Sequence, residues 1–140
     1  MSEEELISLL KKIDKETFLN YPTTYLIPGF ILDFLKCATK SDFRLAKPGQ
    51  KWYLNYFAMV AESSNRQFVS FQMGKNFALM VYQTNGICAI NHIVIFEFEK
   101  GELINIWTPF AFPPHDLKPE NLTGCLRSIS IKEWHYKHIF

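Results

Sequence analysis

GICAINHIVIFEFEKGELINIWTPF, residues Gly86–Phe110, is the stretch that decides the fold. β-Branched and aromatic residues dominate its first half, and such side chains suit a pleated, packed surface. The polar run Glu99–Glu102 follows, and its glycine permits the positive φ of a tight turn. The apolar run then resumes and ends at Pro109, because proline cannot donate to a strand ladder. We therefore predict a β-hairpin here.

Alternation along the first strand of this hairpin predicts two apolar faces. Successive side chains of a strand point to opposite sides, and both sides are apolar in the middle of this one. A strand of this kind is central and covered on both sides, or turns one side to a pocket or a partner. The two faces hold, respectively, His92, Val94, Phe96 and Phe98, and Asn91, Ile93, Ile95, Glu97 and Glu99.

The composition predicts one globular domain, residues 1–140, with a large apolar interior. Hydrophobic residues make up 48% of the 140 residues and aromatic residues 16%, with 13 phenylalanines. This aromatic content argues for a large core, a ligand cavity or a buried oligomer face, and against disorder. The formal net charge is +1, so no global field attracts nucleic acid or an anionic membrane, and neither is predicted as a partner.

The chain also predicts a cytoplasmic location. No apolar run is long enough to span a bilayer, and the first ten residues are acidic before they are apolar, the reverse of a secretory signal. Cysteines 37, 88 and 125 are odd in number and lack a C-x-x-C spacing, which favours free thiols in a reducing compartment.

Two helices are predicted ahead of the strands. Ser2 and Glu5 form a capping box before a helix over 3–15, which residues 16–20 would extend. A second helix is predicted from Pro28 or Gly29 to Thr39, since proline suits a first helical turn.

A β-meander is predicted for the second half of the chain. Alternating segments at 51–62, 67–73 and 77–84 lead into the hairpin, with Gly74 in one turn and Asn85-Gly86 in the next. In the segment 67–73 the first two residues break the alternation. The result is α+β, with N-terminal helices packed on a curved antiparallel meander of about five strands. For the tail we predict a short strand at 128–131 and then a helical or irregular end.

Two segments resemble a known family. Met73–Leu79 is similar to a strand turn of the "dGdxAxv" kind, and Val94–Trp107 is similar to "vxxFrfxdGkIxxxw". On these motifs, residues 3 to 112 resemble the nuclear-transport-factor-two-like superfamily, also called the ketosteroid-isomerase-like or SnoaL-like fold. The resemblance implies a conical, cystatin-like sheet around a pocket for a small apolar molecule, and a homodimer formed through the sheet. The chain departs from the cyclase-like members of this superfamily at one place. Those members carry an acidic residue soon after the last tryptophan, where this chain has Thr108-Pro109-Phe110.

The candidate catalytic residues combine this expectation with acid–base chemistry. Asp33 on the second helix would be the base, and His92 on the central strand would shuttle or polarise a proton. Tyr56 or Tyr82 would donate to a developing oxyanion. Each also has an ordinary interpretation: a solvated helix aspartate, a hydrogen-bonded core histidine and packed tyrosine rings. The aromatic side chains predicted to line the ligand are Phe30, Phe34, Trp52, Phe96 and Trp107.

No cofactor and no metal are predicted. His135 and His138 are three residues apart, but no standard zinc spacing occurs. Nucleophile-elbow and phosphate-binding glycine motifs are also missing from the sequence.

Two functions therefore stand side by side. The first is a protein that binds a small apolar molecule in a pocket and that would act as a cofactor-independent isomerase, dehydratase or cyclase. The second is a non-catalytic interaction module, of the adaptor or immunity kind, that uses an aromatic sheet face.

Overall fold

The structure is a computed structural model that describes residues 1–39, 45–46, 66–85, 89–109, 119–129 and 131–135. Within these residues it contains three α-helices and seven strands. The helices are α1 (Glu3–Lys15), α2 (Gly29–Thr39) and α3 (Leu122–Ser128). The strands are β1 (Leu19–Asn20), β2 (Leu45–Ala46), β3 (Arg66–Met73), β4 (Phe77–Asn85), β5 (Ala89–Glu99), β6 (Glu102–Pro109) and β7 (Trp134–His135).

The helix α1 begins as predicted. The Ser2 hydroxyl oxygen accepts the N–H of Glu5 at 3.1 Å, and the Glu5 carboxylate accepts the N–H of Ser2 at 2.6 Å. The predicted extension to residue 20 is wrong, because Glu16 takes an extended conformation and caps the helix. The following residues form β1, which pairs with β3.

The strands form one sheet in the order β1-β3-β4-β5-β6-β7. Every pair along this order is antiparallel, and β2 pairs with β3 in parallel. The consecutive strands β3 to β6 are the predicted meander, and the α+β class is confirmed. The predicted strand at 51–62 lies outside the described residues.

The turn between β5 and β6 confirms the hairpin prediction. Lys100 and Gly101 both have positive φ, 51° and 77°. Two successive residues of positive φ match the right-handed twist of the flanking strands, which is why such turns favour glycine.

Both faces of the sheet are covered by helices. The residues of β5 alternate between two cores as predicted, so this strand is buried on both sides. We call these the α2 core and the α1–α3 core after the helices that cover them. The α2 core contains Ile27, Ile31, Leu35, Phe68, Phe71, Ala78, Met80, Tyr82, Val94, Phe96 and Phe98. The α1–α3 core contains Leu6, Leu9, Ile13, Phe77, Leu79, Val81, Ile93, Ile95, Trp107, Leu122, Leu126, Ile129 and Trp134.

The tail differs from the prediction. A helix, α3, precedes a short strand, β7, whereas a strand at 128–131 followed by a helical or irregular end was expected. Leu122, Leu126 and Ile129 recur at helical spacing and are all buried in the α1–α3 core. That spacing outweighs the short serine–isoleucine alternation on which the strand prediction rested.

The described helices are all too short or too polar to cross a membrane. Cys37 and Cys125 are free thiols, and Cys88 lies outside the described residues.

Candidate functional site

Four polar side chains meet at one end of the α2 core. Arg66 lies on β3, Tyr82 and Thr84 lie on β4, and His92 lies on β5. The strand register sets Arg66 opposite Thr84, and Tyr82 opposite His92. Residues directly opposite each other share a face of the sheet, so all four point to the side that α2 covers. We call this group the Arg66–His92 cluster.

A stacked pair of rings forms the centre of the cluster. The ring centroids of Tyr82 and His92 are 4.8 Å apart, and their planes differ by 11°. Tyr82 is fully buried, while His92 is partly buried, in keeping with a histidine that does not face open solvent. The Nε2 atom of His92 lies 2.7 Å from the Thr84 hydroxyl oxygen. Stacking and this hydrogen bond together hold the imidazole in one orientation.

Burial favours the neutral form of both rings. It raises the pKa of Tyr82 to about 12, against the opposing effects of the Arg66 charge and of a hydrogen bond from Arg66. It also lowers the pKa of His92 to about 4, and the positive charge of Arg66 adds to this effect. The cluster therefore combines one positive charge with a neutral imidazole, a phenol and a hydroxyl.

A β-bulge brings Arg66 into the cluster. The register of β3 against β4 shifts between Phe68 and Ser70, so Val69 is the extra residue. Phe68 and Phe71 lie three apart, yet both are buried in the α2 core, which strict alternation forbids. The same shift turns Arg66 to that face. The broken alternation at the start of the 67–73 segment was the sequence signal for this bulge.

Sequence reasoning named two members of the cluster and missed two. Tyr82 and His92 were predicted as catalytic candidates, and the structure brings them together. Arg66 and Thr84 were not predicted. Thr84 follows Tyr82 at the strand period of two, a signal that could have found it.

The other predicted catalytic residues do not join the cluster in the described part of the chain. Asp33 is exposed on α2, and it is not among the charged groups that shift the pKa of His92. Tyr56 lies outside the described residues.

The predicted ligand-lining residues are divided between the two faces of the sheet. Phe30, Phe34 and Phe96 belong to the α2 core, where the Phe30 ring packs edge-on against Phe98 at 5.4 Å. Trp107 is buried on the opposite face, in the α1–α3 core, because it pairs with Ile95 of β5. Trp52 lies outside the described residues. The described members of this set fill two cores and do not surround one cavity.

A separate groove of about 380 Å³ lies between α1 and the strands β5 and β6. The Glu97 carboxylate, which lines the groove, accepts a hydrogen bond from the Asn105 amide at 2.9 Å and lies 3.7 Å from the Lys12 ammonium. These polar groups satisfy one another, so the groove is a weaker candidate than the Arg66–His92 cluster.

The residues 1–39, 45–46, 66–85, 89–109, 119–129 and 131–135 contain no group of three His, Cys, Asp or Glu placed to hold a metal ion. His138 lies outside these ranges. Comparison with protein-family models, with curated proteins and with solved structures finds no significant match to this chain. Function is therefore inferred from the cluster itself.

Proposed function

We propose that this chain is a small-molecule-binding protein whose ligand contacts the Arg66–His92 cluster. The observation that supports the proposal best is the Tyr82–His92 stack with a hydrogen-bonding group and a positive charge beside it. Arg66, Thr84 and His92 are each partly exposed, and the fully buried Tyr82 lies beneath them. Partly exposed polar side chains beside buried aromatic side chains are a common composition of a ligand site.

The same geometry favours binding over proton transfer. A general base works best when its pKa lies near the working pH. His92, with its pKa lowered to about 4, is a weak base at pH 7, and Tyr82, with its pKa raised to about 12, is a weak acid. The isomerase, dehydratase or cyclase activity remains a prediction that these two groups support less well than binding.

We also propose the nuclear-transport-factor-two-like superfamily as the fold family. Two helices ahead of an antiparallel meander, and a glycine turn before β6, support it. The expected homodimer and the cytoplasmic location belong to the same proposal.

Nuclear magnetic resonance of the histidine rings tests ligand binding directly. A set of small aromatic fragments is titrated into the wild-type protein, and the His92 ring signal is assigned by its loss in the His92→Gln variant. We expect a subset of fragments to shift the His92 signal in a saturable way, because the ring is partly exposed and held in one orientation.

The matched control is Asp33→Asn, which changes an exposed side chain of α2 outside the cluster. It should leave fragment binding unchanged, whereas Tyr82→Phe should weaken it. If no fragment moves the His92 signal, or if Asp33→Asn and Tyr82→Phe act alike, the cluster is not a ligand site.

Exposed apolar side chains favour a second candidate, the interaction module. The module was expected to use an aromatic face of the sheet, but helices cover both faces in the described part of the chain. The surface proposed for it instead is formed by the exposed side chains of Leu19, Tyr25 and Leu26, of which Tyr25 is 80% exposed. The partner we propose for them is a second copy of this chain. Native mass spectrometry of the samples prepared for the titration separates the candidates, since a dimer mass without any fragment-responsive His92 supports the module alone.

A further inference from the structure

We infer that the ligand of the Arg66–His92 cluster is an aromatic or otherwise planar apolar molecule that carries a carboxylate, and that Arg66 binds this carboxylate. The inference rests on the proposed function and assigns a ligand class to the same site.

Arg66 supplies the positive charge of the cluster. Among the described residues, Arg66 is the only charged group that shifts the pKa of Tyr82 or of His92. The strand register sets Arg66 opposite Thr84, whose hydroxyl lies 2.7 Å from the His92 ring, so Arg66 shares the face of the sheet that carries both rings. A partly buried positive charge is screened less than one on the open surface, which strengthens its attraction for an anion.

The shape of the charged group matches a carboxylate. A guanidinium presents its N–H donors in a planar fork that matches the two oxygens of a carboxylate. The bulge at Val69 directs this fork to the cluster face of the sheet. Bulges often re-aim a side chain beside a functional site.

The neutral neighbours of Arg66 offer hydrogen bonds and an aromatic surface. The Thr84 hydroxyl and the His92 imidazole lie 2.7 Å apart and add hydrogen-bonding capacity beside the charge. Tyr82 and Phe68 are buried beneath the cluster, so the aromatic surface within reach of a ligand is the partly exposed His92 ring, which stacks on Tyr82. The ring of a planar ligand suits this surface, and its carboxylate would then reach Arg66.

Two probes of nearly equal shape test the inference. 2-Naphthoate carries a carboxylate, and 2-naphthamide replaces it with a neutral amide. Both are titrated into the wild-type protein, Arg66→Met, Arg66→Lys and Lys11→Met, and the His92 ring signal reports binding. Lys11→Met is the matched control, because it removes one exposed positive charge from α1 on the opposite side of the sheet.

We expect the wild-type protein to prefer 2-naphthoate by on the order of tenfold, the ratio for one charge-assisted hydrogen-bonded pair. Arg66→Met should abolish the preference, Arg66→Lys should retain part of it, and Lys11→Met should leave it intact. The wild-type comparison and Arg66→Lys remain informative should Arg66→Met fail to fold.

The outcomes separate this inference from the proposed function. Equal binding of both probes to the wild-type protein would overturn the carboxylate assignment while the ligand site stands. A preference that Lys11→Met reduces as much as Arg66→Met would also overturn it, since the preference would then reflect net charge. If neither probe moves the His92 signal, the carboxylate assignment fails, and the fragment titration decides whether the ligand site fails with it.

Discussion

At the scale of the residue, His92 carries the clearest physical consequence. Its folded-state pKa of about 4 lies below the ordinary value of 6.5 because burial and the Arg66 charge disfavour the imidazolium. As the pH falls below 6.5, His92 takes up a proton in the unfolded chain but stays neutral in the folded chain. The contribution of His92 therefore lowers the free energy of unfolding as the pH falls from about 6.5 to about 4. Below about pH 4 it adds no further pH dependence.

The His92→Gln variant should lose this part of the pH dependence. Between about pH 7 and about pH 4.5 we expect the wild-type protein to lose on the order of 2 kcal/mol more stability than the variant, a value reduced for the partial exposure of the ring. Urea denaturation across this range measures the difference. Thr84→Val is the control, because it removes the hydroxyl partner but keeps the imidazole. Parallel stability curves for the wild-type protein and His92→Gln would contradict the prediction.

At the scale of the element, the end of α1 is hydrogen-bonded to the turn between β3 and β4. The Glu16 carboxylate accepts the N–H of Lys75 at 2.7 Å and that of Asn76 at 3.3 Å. A Cβ on Gly74 would collide with the same carboxylate. Any larger residue at position 74 would therefore have to displace the Glu16 carboxylate from its two hydrogen bonds, and no positive φ is involved.

A double-mutant cycle tests this arrangement. Gly74→Ala should cost about 1–2 kcal/mol in the wild-type protein, since the displaced carboxylate loses its charge-assisted hydrogen bonds. In the Glu16→Ala background the nearest remaining contact of the added methyl group is the edge of the Phe18 ring, at 3.3 Å, so the cost should be smaller. Chemical denaturation of the four proteins gives the coupling free energy.

Gly29→Ala is the control for this cycle, because a Cβ there meets nothing within 4 Å. It should change stability by about 0.5 kcal/mol or less in either background. An equal cost of Gly74→Ala with and without Glu16 would show that the turn itself requires glycine.

At the scale of the whole molecule, the sheet separates two cores. Ile31 of α2 and Ile13 of α1 are almost fully buried, one on each side of the sheet. Groups that share no partner contribute independently to stability.

Ile31→Val and Ile13→Val should each lower the free energy of unfolding by about 0.5–1.5 kcal/mol, the usual cost of one buried methylene. The double variant should lose the sum to within about 0.5 kcal/mol. Ile7→Val is the control on the outer side of α1, where the side chain is 46% exposed and the change should be small. A double variant far from the sum would show that the sheet couples the two cores.

The sequence by itself determined the elements that depend on neighbouring residues. The predicted capping box at Ser2, positive φ at Gly101 and alternation of β5 are all confirmed, because each arises from backbone and side-chain preferences within a few residues. The family resemblance and acid–base chemistry together placed His92 and Tyr82 among the candidates.

Only the tertiary structure decided which face each helix covers and which side chains meet. Trp107 and Phe96 lie on opposite sides of the sheet, although both were expected to line one ligand. Arg66 joins Tyr82 and His92 only through a bulge and the register of three strands. A one-residue change of register reverses every side chain beyond it, and register is set by contacts distant in sequence, so local patterns alone do not reveal such a cluster.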